Sequence, residues 1–140
     1  MRQSNLYVEP LAGYGALQLV WQEKADPQEI SHAFESLKIY LDSYDEPVYV
    51  LVDISSKPQI PIMYTIHNVL SGIHQHKNLM QWVVVGESTA AKRVASVLNS
   101  FSGQEKIVWV GSRDEAIEHI KTELGLEHSG MEYGAEDSPV

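Results

Sequence analysis

The sequence predicts a single α/β domain, a mixed, mostly parallel sheet with helices packed on it. Three observations carry that expectation. Short runs rich in valine, isoleucine and tryptophan alternate with longer segments whose apolar residues recur every three or four positions, the patterns of strand and helix. The run Val48–Val52 is apolar throughout and ends abruptly in Asp53, as a central strand covered on both faces does. Near the start, two strand-like runs are separated by a gap holding Pro10, Gly13 and Gly15. That gap is too short for a helix and suits the turn of an antiparallel hairpin.

The elements follow in order. Leu6-Tyr7-Val8 and Ala16–Trp21 form the hairpin at one edge of the sheet. Asp26 then caps a helix, with Pro27 suited to its first position and Glu29 completing a capping box. Ile30, Ala33, Phe34, Leu37, Leu41 and Tyr44 give that helix one apolar face, and Asp45-Glu46-Pro47 ends it. After the central strand, a second helix is expected from about Pro61 to Gln75, burying Ile62, Ile66, Val69, Leu70 and Ile73. Met80–Val85 is the next strand, closed by Gly86. Ser88 caps a third helix, which turns Ala91, Val94, Ala95, Leu98 and Phe101 inward and stops at Ser102-Gly103. Lys106–Val110 is the last strand. Ser112 and Glu115 form a second capping box, opening a helix that buries Ala116, Ile117, Ile120 and Leu124 and ends at Gly125. The predicted order over residues 1–125 is β-β-α-β-α-β-α-β-α, which demands right-handed crossovers. Residues 126–140 lose periodicity among glycines and acidic residues and are expected to be a flexible acidic tail.

Composition narrows the function. At 140 residues and 44% hydrophobic content, the chain can bury one sizeable core. It has no cysteine, which excludes disulfides, thiolate chemistry and cysteine-held zinc. The formal charge of −9 repels phosphate backbones and anionic membrane surfaces, so neither is an expected partner. No apolar stretch approaches the roughly 20 residues that cross a bilayer, and the opening residues lack the apolar core of a signal peptide. A cytoplasmic protein without membrane insertion is the expectation.

Val-Leu-Val-Asp-Ile-Ser at 50–55, Trp-Val-Val-Val-Gly-Glu at 82–87 and Val-Trp-Val-Gly-Ser-Arg-Asp-Glu-Ala-Ile at 108–117, in this element order, resemble the STAS domains. The resemblance is greatest to their SpoIIAA-like relatives, named for anti-sigma-factor antagonists, and covers about residues 5–124. It implies the STAS-like scaffold and a habit of binding partner proteins. Regulatory members carry Asp-Ser-Ser-Gly at the start of the helix after the central strand, with one serine phosphorylated. The matching place here is Pro61-Ile62-Met63-Tyr64, with no serine and no glycine. The phospho-switch therefore does not carry over. Some SpoIIAA-like relatives are similar to lipid-binding CRAL-TRIO domains, which makes an apolar ligand the rival implication.

Other constellations have bland readings that weigh more. A phosphoaccepting Asp53 would need an acidic pair after the first crossover strand and a lysine after the last, yet those strands end in Val20-Trp21-Gln22 and Val110-Gly111-Ser112. Bracing nearby amides is the expected role. Ser55 and Ser56 read as turn formers, although phosphorylation there would reshape the loop. His67, His74 and His76 lack the three- or four-residue spacing of helical metal pairs, with no carboxylate between Ile54 and Val85. They read as solvent-exposed or helix-terminal residues. Gly86–Arg93 matches neither a P-loop nor GxGxxG. No nucleophile elbow or paired carboxylate supports catalysis.

The sequence thus predicts a non-enzymatic regulatory or protein-interaction module, without cofactor or metal. Its working edge would be Asp53, Ser55, Ser56, Ile62, Met63 and Tyr64, joined by Ser88 and Thr89 at the next turn. The partner is a protein of unidentified chemistry, or a second copy of the chain in a homodimer through tyrosines and tryptophans. The alternative is a carrier of an apolar or anionic small molecule, held between the second helix and the sheet.

Overall fold

The computed structural model describes residues 5–11, 15–102 and 106–125. The expected acidic tail, residues 126–140, lies outside the described residues. Nine elements run in the predicted order: β1 (Leu6–Leu11), β2 (Ala16–Trp21), α1 (Pro27–Ser43), β3 (Val48–Asp53), α2 (Ile62–Leu70), β4 (Leu79–Val85), α3 (Thr89–Ser102), β5 (Ile107–Val110) and α4 (Arg113–Leu124). The sheet order is β1-β2-β3-β4-β5. β1 runs antiparallel to β2, and the remaining neighbours are parallel.

The layers follow from the alternation of side chains along β3. Val48 and Val50 face the larger core, which holds Leu37 of α1, Ile66 of α2 and Leu98 of α3. Tyr49 and Leu51 face a smaller core closed by Ala116 and Ile120 of α4. Three crossovers step in one direction across the sheet, and with one handedness they place α1, α2 and α3 on a single face. The chain covers the opposite face only on its last pass.

Local chemistry fixes the helix ends. Asp26 accepts the Glu29 amide at 2.8 Å and Glu29 returns the bond to the Asp26 amide at 3.0 Å, the capping box expected from sequence. At the far end of α1, the buried Asn78 side chain donates to the carbonyls of Leu41 and Tyr44 at 2.9 and 2.7 Å. Both lie at the helix end, where carbonyls lack i+4 donors; the Leu41 carbonyl also takes the Tyr44 amide at 3.3 Å. Ser112 caps α4 through the Glu115 amide, and Gly125 closes it at φ +76°.

Three expectations need correction. The second helix stops at Leu70, five residues early: Gly72 takes φ +106°, outside helical backbone, and residues 71–75 form turns. Phe101 is 67% exposed rather than turned inward. Phe101 lies in the last turn of α3, beyond Leu98, the last buried core residue of that helix. His74 is 1% exposed rather than at the surface, because the short second helix turns it in under the sheet edge.

Candidate functional site

The carboxyl edge of the sheet brings Asp53, Ser55 and the Gly86 turn together. Asp53 accepts from the Ser55 amide and hydroxyl at 3.0 and 2.6 Å, and from Arg113 at 3.5 Å. Arg113 also bonds Gln18 on β2. The bracing role read for Asp53 is what the geometry holds, with a salt bridge from α4 that sequence reasoning missed. Gly86, at φ +111°, lies so near this loop that a Cβ there would meet the Ser55 backbone at 3.1 Å. Ser88 accepts the Ala91 amide at 3.1 Å and so caps α3, with Thr89 exposed beside it. Ser56 is exposed in the same turn as Ser55.

The Pro61–Tyr64 segment does not present one apolar patch. Ile62 and Tyr64 pack partly against the core, while Met63 stands 75% exposed. The Tyr64 hydroxyl meets Ser31 Oγ at 2.5 Å and donates to the Pro27 carbonyl at 3.2 Å, tying α2 to the start of α1. Open α/β sheets bind ligands where the strand order reverses and adjacent loops splay apart. Here the strand order never reverses; the loops after β2, β3 and β4 lead to the helices of one face, and only the loop after β5 turns to α4 on the other.

The concave feature lies inside the layer between the sheet and the helices α2 and α3. It is a cavity of about 80 Å³ lined by Trp21, Thr65, Val69, Trp82, Ala95 and Leu98, among others. No charged side chain is among its lining residues. Trp21 Nε1 and Thr65 Oγ1 are buried and have no hydrogen-bond partner among the described residues. Both belong to residues of the cavity wall, and buried polar groups are satisfied in the large majority of cases. Sequence alone gave little sign of them: Trp21 reads as a strand end, and Thr65 as one polar residue in an apolar helix.

Behind the cavity wall, Trp82 Nε1 donates to His74 Nδ1 at 3.2 Å, and Lys106 Nζ donates to the His74 carbonyl at 3.0 Å. Burial, and secondarily the Lys106 charge, hold the His74 pKa below its ordinary value. Burial likewise lowers that of Lys106. On the other face, burial and the neighbouring Glu123 carboxylate raise the Tyr49 hydroxyl. Among the described residues no group of three His, Cys, Asp or Glu side chains is placed to hold a metal, and no helix is long and apolar enough to cross a membrane.

No protein-family model matches the chain, and no curated protein matches it. Among solved structures, the chain is similar to an uncharacterized DUF3478-family protein with a SpoIIAA-like fold from Shewanella loihica PV-4. The TM-score is 0.59 at 14% sequence identity, over 86% of this chain and 98% of that one. The mixed sheet, its N-terminal hairpin and this likeness together establish that the chain has the SpoIIAA-like α/β fold.

Proposed function

We propose that this domain is a non-catalytic binding module for a small apolar ligand, held between the sheet and the helices α2 and α3. The observation that supports it is the cavity of about 80 Å³ that retains two buried, unpartnered polar groups. An apolar cavity of about 150 Å³ accommodates benzene, so the occupant is a molecule of a few heavy atoms or the end group of a longer one. The wall offered to it is apolar, with no charged side chain among its lining residues, which favours holding over chemistry. A cytoplasmic setting belongs to the same reading and agrees with the absence of cysteine. The test is native mass spectrometry of gently purified, untagged protein. A non-covalent mass that disappears on denaturation supports the reading. A bare chain that also fails to take up small apolar probes by NMR overturns it.

The second reading is a STAS-like regulatory module that docks another protein or a second copy of itself. Met63 favours it, because it stands 75% exposed on the helix that also carries Thr65 and Val69 into the cavity wall. Light scattering of the wild type and Met63→Glu tests self-association: an unchanged monomer in both removes the homodimer.

A further inference from the structure

We infer that the layer of α1, α2 and α3 docks face to face on the same layer of a second copy of the chain. The two-fold axis runs along α2, so that α1 of each copy lies on α3 of the other. The inference rests on the second reading above and goes further, since it names the partner and its orientation. Three observations carry it.

The first is the order and direction of the helices. α1 joins β2 to β3, α2 joins β3 to β4 and α3 joins β4 to β5, each between parallel neighbours. Each helix therefore returns from the carboxyl edge of the sheet to its amino edge. The three lie side by side with α2 in the middle, packed against both of the others. A two-fold axis along the central helix of such a layer lays the first helix on the third, twice over, in a closed isologous contact.

The second is charge. α1 carries Glu29, Glu35 and Asp42 against Lys38, whereas α3 carries Lys92 and Arg93 with no acid, and α2 has no acid, lysine or arginine. Glu35 and Arg93 are exposed, and neither has an ion-pair partner among the described residues. An axis along α2 sets the acidic helix against the basic one in both halves of the contact. An axis across the helices would set α1 on α1, acid against acid, and like charges across an interface reject such a pairing. The acids of α4 lie behind the sheet. A helix layer about 10 Å thick separates them from the contact, the distance over which charges are screened at 0.1 M salt.

The third is the placing of exposed apolar side chains. Ile39, Met63 and Phe101 are 63%, 75% and 67% exposed, one on each helix of the layer. Single exposed apolar residues are normal, but here one operation pairs all three. Ile39 and Phe101 both lie toward the amino-edge ends of their helices, so the axis along α2 brings each toward the other across the contact. Met63, on the axial helix, comes beside the Met63 of the second copy.

The test is sedimentation velocity of the full chain over a concentration series, in the wild type and in Glu35→Lys and Arg93→Glu. The wild type is expected to show a monomer–dimer equilibrium. Each variant sets like charges together at both contacts and is expected to weaken association about tenfold. An equal mixture of the two variants is expected to recover wild-type association. In the mixed pair one contact joins lysine to glutamate and the other arginine to glutamate, and mixing cannot repair a chain that has merely lost its fold. A wild type that stays monomeric throughout overturns the inference and leaves the docking of a different protein standing. Dimerisation indifferent to both variants, or weakened without recovery on mixing, overturns the contact between α1 and α3.

Discussion

The indole Nε1–H of Trp82 donates to Nδ1 of His74 across 3.2 Å, and both residues are buried. Because an indole nitrogen never accepts, His74 must present an unprotonated Nδ1 and carry its proton on Nε2. That atom has no partner among the described residues. Protonating His74 would set a second N–H against the first and break the bond.

A pH dependence of stability follows. Burial, with the Lys106 charge second, depresses the His74 pKa in the folded chain, so below the ordinary value of about 6.5 the unfolded state binds the proton more readily than the folded state does. The stability this neutral histidine contributes is present above about pH 6.5 and is lost as pH falls toward the lowered folded pKa. Urea unfolding between pH 7.5 and 5 is expected to show a decline that flattens in His74→Asn, which keeps an acceptor near Nδ1 but does not titrate. An identical slope in the two proteins would overturn the assignment of the decline to His74.

Asn78 joins the end of α1 to the start of β4. Its amide nitrogen satisfies the Leu41 and Tyr44 carbonyls, and it is 4% exposed. Asn78→Ala removes both bonds, leaving the Leu41 carbonyl with the Tyr44 amide alone and the part-buried Tyr44 carbonyl without this donor, and is expected to cost about 1–3 kcal/mol. Asn78→Asp is expected to cost more, since its carboxylate would face the same two carbonyl oxygens. Chemical denaturation of the three proteins gives the order directly.

How much of this was readable from the chain divides along a physical line. The element order, the capping box at Asp26, the Ser112 side-chain cap and the Gly125 cap were legible, because each depends on residues adjacent in sequence; the second capping box expected at Ser112 is only half made, since the Glu115 carboxylate takes the Gly111 amide instead. Asp53 bonding its own loop was legible for the same reason. Arg113 reaching Gln18 and Asp53 was not, since those partners lie 95 and 60 positions away. Phe101 kept the helical period and is still exposed, because periodicity gives a side chain's direction and not where the packing beneath the helix ends. The sequence named the space between the second helix and the sheet only for the carrier alternative; the structure has a cavity there, walled by α3 as well, and the unpartnered donors near it are defined by missing bonds. A sequence cannot display a bond that is not made.

Gly86 ends β4 at φ +111°, and a Cβ there would press on the Ser55 Cα and amide nitrogen at 3.1 Å. Both objections involve backbone, which cannot swing aside as a flexible side chain does. Gly86→Ala is therefore expected to destabilise the domain by about 1–3 kcal/mol and to shift the amide resonances of residues 54–56. A change below about 0.5 kcal/mol would mean that the two turns part easily and that the carboxyl edge is softer than its contacts imply.

Ala95 lines the cavity from α3 and is 8% exposed. Ala95→Leu directs three more carbons into the space without altering a strand or an orphan donor. Cavity filling commonly stabilises by about 0.5–2 kcal/mol, and in a domain of this size about 1 kcal/mol raises the midpoint by roughly 3–5 °C. The ligand-free variant is therefore expected to melt higher than the wild type, and to bind a small apolar probe such as cyclopentane at least tenfold more weakly. The two effects must appear together. A stabilised variant that still binds would place the ligand elsewhere, and a destabilised one would mean that the helices α2 and α3 had already closed the space the larger side chain needs.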